Sequence, residues 1–451
     1  MVYNLSSEPL EFPSDLEEFI LKELGGSYKS EPVKVKQTLN YDENDLKEYL
    51  GTYFPGSFSE SYAIFSNIFW NESIKNNFEI KKDFYILDIG GGTGGNLLGL
   101  LWFMKKFFVE FDNKRIHIVS IDGNDYALNI QRKLLEKFFP KNSDFFYKNI
   151  ILSRNNFKEM LRNVINDYEI TIKFDIIMSF RFINEFYREY FLFDWYKIPG
   201  TDNDRIIKYL RETIGINLLN EATFENDGRI ISISNAKSSL SLEIKDYETA
   251  ILIIDGKKTD EFIVKKENNN INIYLDKYYK NKNMYKIMTE AVSEYLEDDG
   301  LFILSDVTDK IKNDDGDDDS WFLSKIMNEE IIEYLNSQRN KLEVIIPLSC
   351  AVWHSFCKKS RKCFIKKEVF LRNSKCVTRG FKYSYKIFTH KNLALRVLQN
   401  INKQDRYEIG EKWICIKGVH SNRNKDKAVY RDPFSFDDSS KIKLERLRNG
   451  I

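Results

Sequence analysis

Residues 84–97 read Phe84-Tyr85-Ile86-Leu87-Asp88-Ile89-Gly90-Gly91-Gly92-Thr93-Gly94-Gly95-Asn96-Leu97. A short apolar run ends at an acid, passes through glycines and opens into a second apolar segment that continues to residue 109. That order predicts strand, tight loop, helix. Glycines there let a ligand approach the backbone closely, beside the N–H groups of a helix N-terminus. Gly90, Gly92 and Gly95 satisfy the Gly-x-Gly-x-x-Gly spacing of dinucleotide-binding loops, a short and unspecific pattern.

Further strands are expected at residues 115–121, ending at Asp122, at 173–179 and at 301–305, with a helix at 125–138. Strands alternating with helices imply an α/β fold with a mostly parallel sheet covered on both faces. Upstream, Phe58, Tyr62, Phe65 and Phe69 recur at helical spacing after Pro55-Gly56, so residues 1–80 read as a mostly helical region with a loop at Gly25-Gly26. About 120 residues separate the strands at 174–179 and 301–305, far more than a crossover needs. Within them 229–234, 249–254, 261–265 and 271–275 read as strands, with turns at Asp255-Gly256 and residues 268–270. The expected organisation is therefore a domain at 81–199 and 291–348, a β-rich insertion at 200–290, and a C-terminal region at 349–451. Residues 313–319 form an acidic run without EF-hand spacing, read as a solvated loop.

Asp88 stands two residues before Gly90, giving Asp-x-Gly-x-Gly-x-Gly over residues 88–94. This resembles motif I of class I S-adenosylmethionine-dependent methyltransferases, whose fold is a Rossmann-like α/β sheet. The resemblance implies that Asp88 faces the ligand's cationic amino-acid part and that Gly90, Gly91, Gly92, Thr93, Gly94 and Asn96 wrap it. A ligand with a sulfonium and an α-ammonium group gives a carboxylate a reason to be present, whereas a pyrophosphate would be repelled. Asp122 ends the second strand, where the family places an acid on both ribose hydroxyls. It lies 32 residues beyond Gly90, longer than the roughly 20 of the dinucleotide pattern. Residues 174–179, ending at Ser179, resemble the fourth motif, and Leu296-Glu-Asp-Asp-Gly-Leu-Phe-Ile303 the entry to the fifth strand. Residues 149–158 offer no clear acid for the adenine.

No catalytic signature follows the fourth strand, where Phe180-Arg-Phe-Ile-Asn184-Glu185 stands in place of an Asn/Asp-Pro-Pro-Phe/Tyr motif. Asn184 and Glu185 are the candidates for touching substrate, with helix capping an equal role. A nicotinamide oxidoreductase is the competing class.

Across 451 residues the chain is 42% hydrophobic and 14% aromatic, enough for an ordered core in two or three domains. Its 68 basic and 68 acidic residues cancel, but residues 350–451 hold 25 Lys/Arg against 9 Asp/Glu. That region is expected to meet a polyanion. No apolar run suits a membrane span, and residues 1–19 carry acids and no Lys or Arg. The expectation is a cytoplasmic protein, with a mitochondrial one as the alternative despite the lack of a visible transit peptide.

All five cysteines lie beyond residue 349: Cys350, Cys357, Cys363, Cys376 and Cys415, with His354 in the first interval. An odd number in such a chain argues against a disulfide framework. A metal site among basic residues is one reading, iron–sulfur or zinc, and buried free thiols the other. These pieces resemble the methyltransferase-like proteins of the mitochondrial small ribosomal subunit and their bacterial relatives. The likeness rests on Tyr53-Phe-Pro-Gly-Ser-Phe-Ser-Glu-Ser-Tyr-Ala63, on Pro347-Leu-Ser-Cys350 with His354 and Cys357, on Cys363, on Phe381-Lys-Tyr-Ser-Tyr-Lys-Ile-Phe388, and on Cys415. It implies a [4Fe–4S] cluster on Cys350, Cys357, Cys363 and Cys415, with Cys376 and His354 in reserve, and a partner in small-subunit ribosomal RNA. Lys and Arg interleaved with Phe364, Phe370, Phe381, Tyr383, Tyr385 and Phe388 suit phosphate contact and base stacking. A methyltransferase of a small molecule or protein, and a non-catalytic S-adenosylmethionine-binding assembly factor, remain the alternatives.

Overall fold

The computed structural model describes residues 9–29, 41–168 except 70, 142 and 155, 173–187, 283–307, 323–345 except 338–339, and 365–399 except 379–380. It also describes isolated strands between 190 and 275 and between 406 and 431. By contacts the chain forms two units, one of residues 1–185 with 283–451 and one of residues 186–282.

The first unit is built on one sheet. Its strands are β1 (Asp83–Ile89), β2 (Arg115–Asp122), β3 (Ser143–Asn149), β4 (Phe174–Phe180), β5 (Leu296–Val307), β6 (Leu342–Val344) and β7 (Phe381–His390). They lie in the order β6-β7-β5-β4-β1-β2-β3. Strands β1 to β5 are mutually parallel, and β7 runs antiparallel to both β5 and β6. This is the Rossmann-like class I methyltransferase fold that the sequence predicts. Its antiparallel β7 departs from the doubly wound dinucleotide-binding order, which ends in a sixth parallel strand. Every residue of β4 is buried, as a central parallel strand covered on both faces must be.

Helices flank the sheet: α1 (Ser14–Lys22), α2 (Glu43–Thr52), α3 (Phe54–Phe69), α4 (Glu72–Glu79), α5 (Gly95–Phe107), α6 (Asp125–Phe138), α7 (Phe157–Asp167), α8 (Met284–Val292), α9 (Leu323–Asn336) and α10 (Lys391–Gln399). Pro55 sits in the first turn of α3, where its missing N–H costs nothing. Helices α3 and α5 pack at backbone contact. A Cβ on Gly99 would meet the Phe58 carbonyl at 2.3 Å, so only glycine fits there. Phe65 stacks on Phe69 and Phe69 on Phe103 beside that seam, with Phe58 buried in the same core.

Strand β3 was not read from the sequence. Its partly exposed edge position leaves it without a strong apolar pattern. The C-terminal region is not separate from the sheet. Residues 381–390 supply β7, and Val369–Leu371 pairs with both Cys376–Val377 and Leu10–Glu11, tying the N-terminal segment to the C-terminal region. Buried Glu17 of α1 accepts the backbone N–H groups of Asn373 and Ser374 at 2.9 Å, which fixes the turn between those strands.

The burial of β7 corrects one expectation. Tyr383, Tyr385 and Phe388 are core residues at 0–3% exposure, so they are closed to base stacking. Phe370 is half-exposed, and Phe364 lies outside the described residues.

The second unit is a seven-stranded antiparallel sheet. From Thr223–Asn226 it runs as a meander through Ile230–Ser234, Ser239–Ile244, Thr249–Ile254 and Lys257–Glu267 to Asn270–Leu275, which pairs with Tyr190–Asp194. Ile254 pairs with Lys257 and Glu267 with Asn270, the registers of two-residue hairpins. The unit begins at 186, earlier than the expected 200, and α8 belongs to the first unit. Among the described residues no helix is long and apolar enough to cross a membrane.

Gly99→Val forces a side chain into the α3–α5 seam. The expected cost is about 1–3 kcal/mol of overpacking. A Tm equal to that of the unsubstituted chain in thermal unfolding would show the seam to be loose.

Candidate active site

An open cleft lies at the C-terminal ends of β1, β2 and β4. Ligands of open α/β sheets bind at such strand ends. Its floor is the loop between β1 and α5. Gly90, Gly92 and Gly94 have φ of 73°, 51° and 84°, in the left-handed region. Side chains are excluded for a second reason. A Cβ on Gly90 would strike Phe182 at 2.6 Å, on Gly91 the Ser120 hydroxyl at 2.3 Å, on Gly94 the Gln131 side chain at 2.5 Å and on Gly95 that of Ser57 at 2.9 Å. At Gly92 it would meet nothing within 4 Å, so that glycine faces the open cleft.

Two carboxylates flank the loop. Asp88, at 2% exposure, accepts a hydrogen bond from Gln131 Nε2 at 3.1 Å. Burial pushes its carboxyl up to about 7, against the Gln131 hydrogen bond and with a further push from Asp122. Asp122, half-buried, braces the loop: Oδ2 accepts the Gly92 N–H at 2.9 Å and Oδ1 the Asn124 N–H at 2.8 Å. Burial raises its carboxyl, those backbone N–H groups and that of Gly123 oppose the rise, and Glu185 adds to it. Asn124 caps α6 through Ala127 N–H at 3.1 Å and donates to the Tyr41 carbonyl at 3.1 Å, joining the N-terminal segment to the cleft.

The far wall follows β4. Arg181 has φ 54°, rare for a residue with a side chain. It is held by its N–H to the Ser305 carbonyl at 2.8 Å and by Nε and an η nitrogen on Glu60 Oε2 at 2.8 and 2.6 Å. Glu60 is fully buried in α3. Burial raises its carboxyl, and Arg181 and the Ser305 hydroxyl, at 2.5 Å from Oε1, offset this. Tyr41, Leu46, Tyr49, Phe180 and Phe182 add an apolar wall, and Tyr41 and Tyr49 meet edge-on at 6.0 Å.

Of the residues singled out in the sequence, Asp88, Gly90, Gly91, Gly92, Thr93, Asn96, Asp122 and Glu185 line this cleft together. Gly94 lies beneath it against Gln131. Ser179 is buried within β4 and does not line it. Asn184 is 2% exposed behind it, where its backbone N–H donates to Asp306 at 2.8 Å and its amide to the Arg181 carbonyl. It holds the turn after β4 and does not face a substrate. Sequence reading missed Tyr41, Tyr49, Arg181, Glu60 and Gln131, which reach the cleft only through tertiary packing.

Cys350, His354, Cys357 and Cys363 lie outside the described residues. Cys415 stands in the strand Trp413–Ile416, between Arg406–Ile409 and Ala428–Arg431. Cys376 is a half-buried free thiol that burial pushes up, with Glu17 adding to the rise. Among the described residues no group of three or more His, Cys, Asp or Glu could hold a metal ion.

No family model and no curated protein matches the chain. Solved structures do. Magnesium protoporphyrin IX methyltransferase from Synechocystis, with bound S-adenosylmethionine, is 7% identical over 84% of this chain and 90% of its own, with a TM-score of 0.29. Precorrin-6y C5,15-methyltransferase from Geobacter metallireducens is 11% identical over 70% and 84%, TM-score 0.27. An S-adenosylmethionine-dependent methyltransferase from Clostridium acetobutylicum is 11% identical over 73% and 92%, TM-score 0.23. Likenesses this distant assign no role to any residue, which leaves the roles to the geometry of the cleft.

A carboxyl raised by burial makes the folded state bind more protons than the unfolded chain, so it costs stability as pH rises from the ordinary carboxylate range to about 7. Asp88→Asn removes that cost. The unliganded variant should unfold at a higher temperature than the unsubstituted protein at pH 8, with the difference shrinking as pH falls through 7 toward 5. A variant less stable at every pH would mean that Asp88 is not buried ionised.

Proposed function

We propose that this chain is an S-adenosylmethionine-dependent methyltransferase whose cofactor occupies the cleft between β1, β2 and β4. The observation that carries the reading is the pair Asp88 and Asp122, on adjacent strand ends on either side of a glycine loop whose Gly92 faces open space. Glu185 adds a third carboxylate, and the cleft's Arg181 is already paired with Glu60. An acidic lining attracts a ligand carrying sulfonium and ammonium charges and repels a pyrophosphate. This favours a methyl donor over a nicotinamide dinucleotide.

The residues fit that group. Asp88 offers a buried carboxylate to an ammonium. Asp122 keeps acceptor capacity beyond that given to the backbone N–H groups of Gly92, Gly123 and Asn124, enough to accept from a ligand hydroxyl. Thr93 and Asn96 open α5 beside the loop. When bound, the cofactor supplies an electrophilic methyl group. The protein's part is then to orient the acceptor in line, exclude water and take a proton from the acceptor atom. Tyr41, Leu46, Tyr49 and Phe182 supply the water-excluding wall. Glu185, the carboxylate lining the β4 side, is our candidate to take the proton. No His, Cys or Lys lines the cleft among the described residues.

For the acceptor, the excess of 25 Lys/Arg over 9 Asp/Glu in residues 350–451 supports RNA, and the resemblance in the sequence supports RNA of the small ribosomal subunit. The same resemblance supports a [4Fe–4S] cluster on Cys350, Cys357, Cys363 and Cys415. Anaerobic purification with iron and sulfide analysis tests that assignment. About four irons, lost in Cys357→Ser, would support it, and a colourless metal-free protein would remove it.

Calorimetric titration tests the cofactor. S-adenosylmethionine should bind, NAD should not, and Asp122→Ala should weaken binding about tenfold or more, as loss of charged hydrogen bonds does. Binding of NAD alone would overturn the reading.

Salt-titrated filter binding tests the acceptor. Small-subunit ribosomal RNA should be retained at low salt and released steeply as salt rises. RNA binding that is absent or indifferent to salt would reopen the search to metabolites and proteins.

A further inference from the structure

Gln131 belongs to α6 yet reaches beneath the glycine loop to Asp88, and it is fully buried. Its amide Nε2 donates to Asp88 Oδ2 at 3.1 Å, while its Oε1 has no hydrogen-bond partner among the described residues. Directly across the strand pair, Ser120 stands opposite Asp88, is fully buried, and its Oγ also has no partner among the described residues. Ser120 Oγ and Asp88 Oδ2 crowd the same point under Gly91, at 2.3 and 2.7 Å from where a Cβ would sit. Gly94 seals Gln131 from above, because any side chain there would strike Gln131 Cγ. Buried polar atoms left without partners are costly to a fold. Beside a carboxyl they have a use, since Asp88 can need a donor in one protonation state and an acceptor in the other.

We propose that Gln131 is the positioning residue of Asp88. Its amide donates to the ionised carboxylate and, turned about its last torsion, accepts from the protonated one. Gln131 thereby sets the pH at which the cleft takes a cationic ligand. An amide is suited to this because it carries donor and acceptor on one planar group. A hydrogen bond to an ionised carboxylate is stronger than one to a neutral acid, so the net effect of Gln131 is to favour the charged form. The titratable group facing Asp88 is Asp122 of β2, which opposes that charge. Of the cleft's other ionisable groups, Glu185 and Arg181 follow β4, Tyr41 and Tyr49 belong to the N-terminal segment, and Glu60 is committed to Arg181.

This inference rests on the assignment of the cleft to S-adenosylmethionine, so the test separates the two. Affinity for S-adenosylmethionine is measured by calorimetry from pH 5.5 to 9 in the full chain and in Gln131→Met, which keeps the volume and removes both donor and acceptor. In the unsubstituted protein affinity should rise as pH passes upward through about 7, as Asp88 ionises. In Gln131→Met the rise should move up by about one pH unit, so that binding is about fivefold weaker at pH 7 yet within about threefold at pH 9. Gln131→Glu, whose second carboxyl must share a proton with Asp88, should move it further in the same direction.

A purely structural role would weaken binding equally at every pH. That outcome, or an unchanged midpoint, overturns the inference while leaving the cofactor in place. If the unsubstituted protein binds no S-adenosylmethionine at any pH, the cofactor assignment fails. The ¹³C shift of the Asp88 carboxyl, followed by NMR in the unliganded protein, still decides whether Gln131 sets its titration.

Discussion

Asp122 accepts the N–H of Gly92 with one oxygen and the N–H of Asn124 with the other. Those two bonds join the loop after β1, the end of β2 and the start of α6 at a single carboxylate. The loop cannot hold itself. Three of its glycines lie at positive φ, where the backbone has little preference of its own, and Gly90 and Gly91 donate to the Ile121 carbonyl at 2.8 and 3.1 Å. The end of β2 therefore serves as the template on which the β1 loop is shaped. A change at Asp122 acts on the floor of the cleft as well as on any ligand above it.

The loop is shaped from below as well. Ser57 and Phe54 of α3 press on Gly95, Gln131 of α6 on Gly94, and Phe182 on Gly90. Four neighbours from three segments leave no room for a Cβ, and only Gly92 looks outward. The N-terminal helices are thus part of the cleft's construction. Helix α3 supplies both the surface against the loop and Glu60, whose pairing with Arg181 holds a strained residue where β4 ends. Burying an ion pair brings little net stability, while leaving either partner alone would be costly. Its value here is that it fixes the β4 turn and leaves Asp88, Asp122 and Glu185 to set the charge of the cleft.

What was legible in the sequence was local. The order strand, Asp88, glycine loop, helix lies within fourteen residues, and Asp122 closes the next strand, so fold and floor follow from adjacent residues. Tyr41, Glu60, Gln131 and Arg181 had no such signal. Each lies tens of residues from its partner, and a glutamine in an amphipathic helix looks like any solvent-facing position until the helix is docked. Asn184 misled for the converse reason. Its place after the fourth strand suggested contact with substrate, while its short polar side chain served the turn itself.

The alternation of Lys382, Tyr383, Tyr385, Lys386 and Phe388 shows how one pattern can serve two ends. Aromatic residues spaced by two along a chain rich in lysine suit a surface that stacks bases, and they equally suit a strand inside a sheet. Pairing decides between them. Strand β7 is hydrogen-bonded to β5 on one side and to β6 on the other, so it has no free edge, and residues 383–389 are buried. Such a strand spends its aromatics on the core. In the proposed RNA reading, the basic excess of residues 350–451 would then act through charges outside β7, without help from those rings. Under the proposed function the acidic cleft and the basic C-terminal quarter would be two distinct electrostatic sites. The first would select a small cation by buried carboxylates, and the second would gather a polyanion by number of charges, with a salt dependence the first would not share.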